Sequence, residues 1–228
     1  MRLTLINKKQ ETSDVISFFF KSETPLTWQA GQFLLYTLDH PNPDNRKTQR
    51  YFTIASAPFE GHIMLTTRFA KEKGSTFKHA LYNLPLGVTI GAEGSDGDFV
   101  IEGSSKDYLF IAGGIGITPY RAIFLDLDHR NLPINVTLLY SNRTPEFVYK
   151  TELEALARKH PALQVHYFVD PERVTEEAIK KIVPNLQIPI FYVSGPEPMV
   201  EAFEKTLPAM GVSKDHMKLD YFPGYDWP

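Results

Sequence analysis

The sequence predicts two domains, an antiparallel β-barrel at the amino end and an α/β domain with a parallel sheet at the carboxyl end. Up to about residue 101, short strand-like runs follow one another with turn residues between them. From about residue 103, strand-like and helical segments alternate. The polar segment 103–106 lies where the pattern changes, so we predict a barrel domain over 1–102 and an α/β domain over 103–228.

The first hundred residues have the pattern of a small barrel of short strands. One helix is expected within them, at about 75–84, and the polar loop 40–49 with its two prolines is expected to be mobile at the surface. The predicted strands are 3–6, 15–20, 32–38, 51–55, 63–69, 88–90 and 99–101.

The remaining residues alternate strands with helices. This alternation predicts a parallel sheet with right-handed crossovers and helices on both faces. The predicted strands are 108–112, 135–140, 165–168 and 190–194. The predicted helices are 118–130, 150–159, 175–183 and 196–208.

The composition argues against several classes of protein. A net charge of −3 and a pI near 6.2 do not suit a general nucleic-acid binder. No apolar run is long enough for a membrane span and no signal peptide is recognisable, so we expect a cytoplasmic protein. The absence of cysteine excludes thiolate chemistry and a four-cysteine iron–sulfur cluster in this chain, and the histidines lack metal-binding spacing. We expect no metal site, so redox chemistry needs an organic cofactor.

The stretch 107–125 combines a buried strand, a glycine-rich turn and the start of a helix. The turn contains Gly113, Gly114 and Gly116, and the helix begins at Thr118 and Pro119. We expect the Thr118 hydroxyl to accept a hydrogen bond from a first-turn amide, and Pro119 suits the first helical position. Glycines let the backbone approach a ligand, and a helix amino end attracts phosphate. The turn is therefore a candidate nucleotide site, with an ordinary tight βα turn as the alternative.

This turn differs from the usual dinucleotide-binding fingerprint. Pro119 stands where that motif has its last glycine, and no acidic residue ends the next strand. Ser141 and Arg143 follow that strand instead. A serine and an arginine at this position can hold a ribose 2′-phosphate, which favours NADPH over NADH. A surface arginine in a loop is the alternative.

The barrel half contains an arginine followed by aromatic and hydroxyl residues. They are Arg50, Tyr51, Phe52 and Thr53. The arginine offers a forked cation for a phosphate, the aromatic residues offer a ring to stack on a flavin, and threonine offers a hydroxyl for the reactive nitrogen edge of the flavin. The alternative is an aromatic strand that carries a surface charge.

Two further candidate groups follow in the barrel half. They are Thr66, Thr67 and Arg68 on a strand, and Gly74, Ser75 and Thr76 before a helix. A glycine and two hydroxyl residues at a helix start form a second anion site, whose amides can hold a pyrophosphate. A simple helix cap explains the second group equally well.

A third strand-turn-helix lies near the carboxyl end. Its candidate residues are Ser194, Gly195, Pro196 and Met199. Ligands bind at the carboxyl ends of parallel strands, so this turn is expected beside the glycine-rich turn if the two strands are neighbours. One more ordinary βα connection is the alternative.

In their order, these motifs resemble the ferredoxin-NADP reductase family of flavoproteins over nearly the whole chain. The family's Arg-x-Tyr-Ser/Thr flavin motif appears as Arg50, Phe52 and Thr53. Its nicotinamide motif appears as Gly113, Gly114, Gly116, Thr118 and Pro119, and its Cys/Ser-Gly-Pro-x-x-Met turn as Ser194, Gly195, Pro196 and Met199. The end of the chain, 220–225, resembles the family's acid-and-aromatic segment beside the flavin ring, with Phe222 and Tyr225 as its aromatic residues.

The resemblance implies an oxidoreductase that passes a hydride from NADPH or NADH to FAD, with FMN as the less favoured flavin. Electrons then leave to a separate acceptor such as ferredoxin or flavodoxin. It assigns Thr53 and Ser194 to the reacting atoms, Arg50 to the flavin phosphate and Phe52 to ring stacking. A free-flavin or ferric reductase that uses flavin as a weakly bound substrate is one alternative. A non-catalytic dinucleotide-sensing module is another.

Two residues depart from the family pattern. Phe52 stands where tyrosine is usual, so stacking is retained while the hydrogen bond of the phenol is lost. Ser194 replaces the cysteine that many members place near the nicotinamide. We expect the second change to slow or retune hydride transfer.

Overall fold

The computed structural model describes residues 1–69 and 74–224. The amino-terminal half forms a six-stranded antiparallel sheet in the order β4-β3-β6-β1-β2-β5. Its strands are β1 (Arg2–Gln10), β2 (Val15–Ser22), β3 (Phe33–Thr37), β4 (Gln49–Thr53), β5 (Ile63–Arg68) and β6 (Thr89–Asp96). The helix α1 (Thr76–Asn83) packs on it through Phe77 and Leu81.

This sheet curls into a half-barrel. The edge strands are β4 and β5, and the Ala55 amide, just after β4, donates a hydrogen bond of 2.7 Å to the Met64 carbonyl on β5. Alternate side chains, such as Phe18 and Phe20 on β2, point into the core. The predicted antiparallel barrel is confirmed.

The carboxyl-terminal half forms a parallel sheet in the order β11-β10-β7-β8-β9. Its strands are β7 (Tyr108–Gly113), β8 (Val136–Asn142), β9 (Gln164–Val169), β10 (Ile190–Pro196) and β11 (Met217–Phe222). Its helices are α2 (Thr118–His129), α3 (Lys150–Lys159), α4 (Glu176–Ile182) and α5 (Glu197–Ala209). The predicted α/β fold with a parallel sheet is confirmed.

Both faces of the parallel sheet are covered, because successive residues of its central strand point to opposite sides. Phe110 of β7 packs in one cluster with Phe124 of α2, whereas Ile111 packs in another with Val200 of α5. All residues of β7 are buried. An uninterrupted apolar run is what a strand with two covered faces requires.

The two halves of the chain are held together by buried polar contacts. Arg121 of α2 forms ion pairs with Glu60, just before β5, and with Glu152 of α3, at 2.9 and 2.7 Å. The Tyr149 hydroxyl, just before α3, lies 2.6 Å from Thr66 Oγ1 on β5. These contacts set the parallel sheet against the half-barrel and form a cleft between them.

The predicted strand 99–101 is wrong. Residues 97–107 have no regular structure, and they connect the two halves. An apolar residue is needed at position 99, because the buried ring of Phe99 packs against those of Tyr120 and Tyr192, at centroid distances of 5.7 and 5.0 Å. The run of apolar residues therefore serves packing between the halves instead of strand pairing.

The strand β11 was not predicted, and the parallel sheet has five strands instead of four. Met217–Phe222 pairs in parallel with β10 and places Asp220 opposite Ser194. The segment alternates apolar and polar residues, which is a strand signal. The resemblance to the family predicts only that residues 220–225 lie beside the flavin ring, without a strand.

The sheets are formed from residues 2–96 and 108–222. The domain limits 1–102 and 103–228 remain a prediction. Within the described residues, no helix is both long and apolar enough to cross a membrane.

Candidate functional site

A cleft of about 860 Å³ lies between the half-barrel and the parallel sheet. One wall comes from β3, β4, β5 and the start of α1, and the other comes from the carboxyl ends of β7, β8, β10 and β11. Ligands of parallel α/β sheets bind at this end of the strands. The volume lies within the range of small-molecule and cofactor sites.

Strand register places a group of aromatic and apolar side chains together on the half-barrel wall. In the antiparallel pair β3–β4, Phe33 is opposite Thr53 and Leu35 is opposite Tyr51. Residues directly opposite share a face, and alternate residues of a strand also share one, so all four side chains reach the cleft. Tyr51 is 67% exposed, and its ring contacts that of Phe33 edge to face at 5.4 Å. These side chains offer a flat aromatic surface and the hydroxyl of Thr53, which suit a flavin ring.

Phe52 also lines the cleft but is half-buried. Its ring lies 5.9 Å from that of Tyr36 and 5.7 Å from that of Phe77, so one side of Phe52 packs on the core of the half-barrel. Tyr51 presents more open ring surface than Phe52 does. Both aromatic residues remain candidates for stacking.

Arg50 lies at the edge of the cleft and is paired with a carboxylate. Its Nη2 is 2.5 Å from Asp44 Oδ1, and its side chain is only 8% exposed. Burial alone would raise the pKa of Asp44, but the hydrogen bonds from Arg50 and from the Arg46 amide, with the charge of Arg50, lower it to about 2. Asp44 is therefore an anion at neutral pH.

The start of α1 completes this anion site. The Ser75 hydroxyl caps the helix by accepting from the Lys78 amide, and the Thr76 amide donates to Asp44 Oδ2 at 3.2 Å. The guanidinium of Arg50 and the amino end of α1 thus converge on one carboxylate. A phosphate would need the same donors.

Two positions of the glycine-rich turn require glycine, because the ends of neighbouring strands pack closely against them. A Cβ on Gly116 would collide with the Ser194 carbonyl oxygen, and a Cβ on Gly113 would collide with the Met199 side chain. Gly114, at φ +52°, has no protein atom within 3.6 Å of such a Cβ and faces the cleft. Gly113 and Gly114 both line the cleft, and Gly114 is the one beside which a ligand would find free space.

The expected helix cap at Thr118 is wrong. A short 3₁₀ turn, Gly114–Ile117, runs directly into α2, and the Thr118 hydroxyl donates to the Ile115 carbonyl at 3.1 Å. Because the turn already continues into the helix, the Thr118 side chain does not accept a first-turn amide. Pro119 does occupy the first turn of α2.

Buried Ser194 and half-buried Asp220 form a hydrogen-bonded pair at the carboxyl ends of β10 and β11. The Ser194 hydroxyl donates to Asp220 Oδ2 at 2.8 Å. Burial raises the pKa of Asp220 to about 7, although the hydrogen bond from Ser194 opposes the rise. Asp220 lines the cleft, whereas Ser194 is fully buried behind it. The pair can hold or release a proton near neutral pH.

The end of β8 connects the cleft to the half-barrel. Asn142 Oδ1 accepts from Arg68 Nη2 at 3.2 Å, and Asn142 Nδ2 donates to the Glu146 carbonyl at 2.9 Å. Arg143 and Asn142 line the cleft, whereas Ser141 is buried and does not. A cationic side chain thus follows β8 at the ligand-binding edge of the sheet.

Two family models match consecutive parts of this chain. The oxidoreductase FAD-binding domain matches residues 2–101, and the oxidoreductase NAD-binding domain matches residues 110–205. The chain belongs to the ferredoxin-NADP reductase family. The cofactors indicated by the two matched domains are FAD and NAD(P)H, as the sequence predicts.

Relatives within the ferredoxin-NADP reductase family include reductase components. The glycine betaine monooxygenase reductase subunit of Chromohalobacter salexigens is 25% identical, over 93% of this chain and 61% of its own length. The ferredoxin reductase component of the Mycolicibacterium smegmatis 3-ketosteroid-9-alpha-monooxygenase is 27% identical, over 97% of this chain and 65% of its own length. The chain thus spans about three-fifths of the length of these relatives.

A solved structure with the same fold is the cytochrome b5 reductase domain of Ulva prolifera nitrate reductase. It is 26% identical, covers 96% of both chains and superposes with a TM-score of 0.80. The two-domain architecture of this ferredoxin-NADP reductase family member is therefore shared along nearly its entire length.

The cleft brings together many of the residues that the sequence indicates for such a reductase. Those that line it are Arg50, Tyr51, Phe52, Thr53, Thr66, Arg68, Gly74, Ser75, Gly113, Gly114, Thr118, Arg143, Pro196 and Phe222. Other predicted residues lie outside its lining: Thr67, Thr76, Gly116, Pro119, Ser141, Ser194, Gly195 and Met199. Tyr225 lies outside the described residues. The role of each residue in cofactor binding remains a prediction.

Several lining residues were not predicted. They include Phe33, Leu35, Arg46, Gln49, Lys78, Ile115, Asn142 and Gly224. The pairing of β3 with β4 would have identified the first two, because they share a face with Tyr51 and Thr53. No spacing in the sequence indicates that Asp44 meets Arg50, since the contact depends on the path of a loop.

Proposed function

We propose that this chain is a flavin-dependent NAD(P)H oxidoreductase. The observation that carries the proposal is the shared cleft, where the 50–53 segment of the half-barrel faces the glycine-rich turn and Asp220. When bound, FAD and NAD(P)H supply the chemistry, a hydride transfer from nicotinamide C4 to flavin N5 followed by release of electrons to an acceptor. The protein binds the two cofactors and orients them.

On the half-barrel side, we assign Tyr51 and Phe52 to stacking on the flavin ring. Thr53 is the hydroxyl assigned to the reactive nitrogen edge, since it is buried and shares a cleft with these rings. Arg50 and the Ser75 region at the start of α1 are assigned to the phosphates. A cation and helix amides are the groups that proteins use to bind phosphate.

On the parallel-sheet side, we assign Gly113 and Gly114 to backbone contact with the nicotinamide coenzyme, beside Pro196. Ser194 is a positioning residue in this proposal, because its hydroxyl holds the Asp220 carboxyl by a hydrogen bond of 2.8 Å. Asp220, with a pKa of about 7, is available as a donor or an acceptor at the cleft. The cysteine position of the family is thus filled by a serine that acts through a carboxyl group.

For the coenzyme, we propose NADPH, with Arg143 as the group that recognises the 2′-phosphate. Arg143 lines the cleft just after β8, at the carboxyl edge of the sheet. Ser141 is buried within that strand, so any contribution from it is support of the turn.

For the acceptor, we propose a separate electron-transfer protein such as ferredoxin or flavodoxin. The names of the relatives from Chromohalobacter salexigens and Mycolicibacterium smegmatis, both reductase components of monooxygenases, support this choice. The cytoplasmic location stays a prediction from the sequence.

A second candidate is a reductase that binds flavin weakly, as a substrate. The ion pair of Arg50 with Asp44 favours it, because the cation assigned to the flavin phosphate already has an anionic partner. Such an enzyme would lose its flavin on dialysis.

The test starts from the purified protein. We expect a flavin absorbance spectrum, FAD on chromatography of the extracted cofactor, and bleaching of the flavin by NAD(P)H without air. Arg50→Gln should lose most of the flavin, while Arg158→Gln on the exposed surface of α3 should keep it. Protein that neither carries flavin nor binds added FAD would refute the proposal.

A further inference from the structure

The carboxylate of Asp44 is not part of the cleft lining, but it contacts Arg50, which is, and the first turn of α1. Asp44 belongs to the loop 38–48, which connects β3 to β4. Its Oδ1 lies 2.5 Å from Arg50 Nη2 and 2.9 Å from the Arg46 amide nitrogen, and its Oδ2 accepts from the Thr76 amide at 3.2 Å. One carboxylate therefore uses both the cation and the helix amide that would bind a phosphate.

Both Nη atoms of the Arg50 guanidinium already donate hydrogen bonds to protein oxygen atoms while Asp44 is in place. Its Nη1 donates to the carbonyl oxygens of Arg46 and Gln49, both at 2.7 Å, and its Nη2 donates to Asp44. Among the described residues, its buried Nε has no hydrogen-bond partner. A phosphate can take Nη2 and the helix amide only by replacing the carboxylate.

The loop that carries Asp44 is held at further points. His40 Nε2 lies 2.9 Å from the Thr76 hydroxyl, which also accepts from the Asp44 amide at 3.0 Å. On the other side, the Arg46 guanidinium lies against Gly224, where a Cβ would be 3.0 Å from Nη1. The loop thus contacts both the start of α1 and the segment at Gly224.

We propose that Asp44 is an internal competitor of the flavin phosphates, so that flavin binding requires loop 38–48 to move this carboxylate away from Arg50 and α1. The inference rests on the proposed function, because it takes a flavin nucleotide as the ligand. Two anions cannot share the donors, since they repel each other and the donors are too few. The apparent affinity for flavin is therefore the affinity of the open site multiplied by the fraction of molecules whose anion site is open.

The competition predicts a specific pattern of ligand affinities. FAD and FMN carry phosphate and need the anion site, whereas riboflavin has no phosphate and needs only the ring surface. Removing the carboxylate should therefore tighten FAD binding and leave riboflavin binding unchanged. A general loosening of the cleft would instead affect both ligands.

The experiment measures dissociation constants of FAD and riboflavin for flavin-free protein by quenching of flavin fluorescence. Asp44→Asn removes the charge at nearly constant shape, and Asp44→Ala removes the side chain. Asp39→Asn, at an exposed residue near the start of the same loop, is the charge-matched control. We expect FAD to bind about tenfold more tightly to Asp44→Ala and at least severalfold more tightly to Asp44→Asn, which is the scale of one charge-assisted hydrogen bond. Asp39→Asn should match the unmodified protein.

FAD affinity that is unchanged or weaker in both Asp44 variants would overturn the inference, and weaker binding would show that Asp44 positions Arg50 for the phosphate. An equal gain for riboflavin and FAD would also overturn it. These outcomes leave the proposed function standing, because FAD still binds. Failure of every variant and of the unmodified protein to bind any flavin would refute the proposed function itself.

Discussion

At the residue scale, two carboxyl groups have surroundings that move their pKa values in opposite directions: Asp220, which lines the cleft, and Asp44, which contacts the lining residue Arg50. Burial would raise the pKa of Asp44, but donors from Arg50 and the backbone lower it to about 2. Burial raises the pKa of Asp220 to about 7, because the Ser194 hydroxyl compensates for only part of it. The presence of a cation decides the difference. At neutral pH, one group is a fixed anion and the other exchanges a proton.

The raised pKa of Asp220 predicts a pH-dependent stability. The folded protein binds this proton more tightly than the unfolded chain, whose pKa is near 3.8. The contribution of Asp220 to the free energy of unfolding therefore falls as pH rises from about 4 to about 7, by at most about 1.4 kcal/mol per pH unit, and is constant above. Asp220→Asn should remove this fall.

Denaturant unfolding of both proteins at about pH 5 and about pH 8 measures the effect. Relative to the unmodified protein, Asp220→Asn should gain stability at the higher pH. Parallel curves for the two proteins would show that Asp220 titrates normally.

The position of Arg143 predicts coenzyme preference. A charge-assisted hydrogen bond to a 2′-phosphate contributes about 1.5–3 kcal/mol, so Arg143→Ala should lower kcat/KM for NADPH by about ten- to a hundredfold. NADH lacks that phosphate and should be used almost unchanged. Steady-state rates with both coenzymes measure this. An equal loss for both would assign Arg143 to the structure of the turn.

At the element scale, turns and loops place the functional groups, and the strands provide their support. The turn Gly114–Ile117 passes so close to β10 that the Ser194 carbonyl occupies the space of a Gly116 side chain. That packing brings the ends of β7 and β10 together at the cleft. The glycine-rich turn therefore determines the shape of the site before any ligand binds.

This close packing makes Gly116→Ala a destabilising substitution. The new Cβ would collide with the Ser194 carbonyl, and overpacking of this kind costs about 1–3 kcal/mol. Gly103→Ala is the matched control, because a Cβ there meets no atom within 4 Å. Denaturant midpoints of the two variants should differ clearly. Equal midpoints would mean that the turn adjusts without cost.

At the scale of the whole molecule, Arg121 links the half-barrel to the parallel sheet. Its guanidinium pairs with Glu60 on one side and Glu152 on the other, and its side chain is only 9% exposed. The cleft exists only while the two halves keep this arrangement. A buried ion pair need not add net stability, but its disruption leaves unpaired charges.

Loss of Arg121 should therefore destabilise the protein strongly. Arg121→Met leaves two carboxylates without their partner, and we expect about 3–5 kcal/mol lower free energy of unfolding. Arg130→Met removes an exposed ion pair with Asp126 on the same helix and should cost less than about 1 kcal/mol. Chemical denaturation compares the two variants. Similar losses would show that the Arg121 network is dispensable.

The fold class and the order of the candidate motifs could be predicted from the amino-acid sequence. The strand and helix around the glycine-rich turn were predicted correctly because apolar periodicity and turn residues act over a few neighbouring positions. The same holds for the segment 50–53 and for the turn after β10. The turns after β7 and β10 were expected side by side if their strands are neighbours, and the pairing of β7 with β10 meets that condition.

The contact partners of these residues could not be predicted in this way, because they depend on how the whole chain folds. Asp44 meets Arg50 and the start of α1 through the path of a loop, and Ser194 meets Asp220 through the unpredicted strand β11. The Thr118 hydroxyl donates to the Ile115 carbonyl because a 3₁₀ turn precedes its helix. Such contacts join residues far apart in the chain or depend on exact loop geometry. No local sequence pattern predicts these contacts, because the free energy that selects them comes from burial and charge in the folded protein.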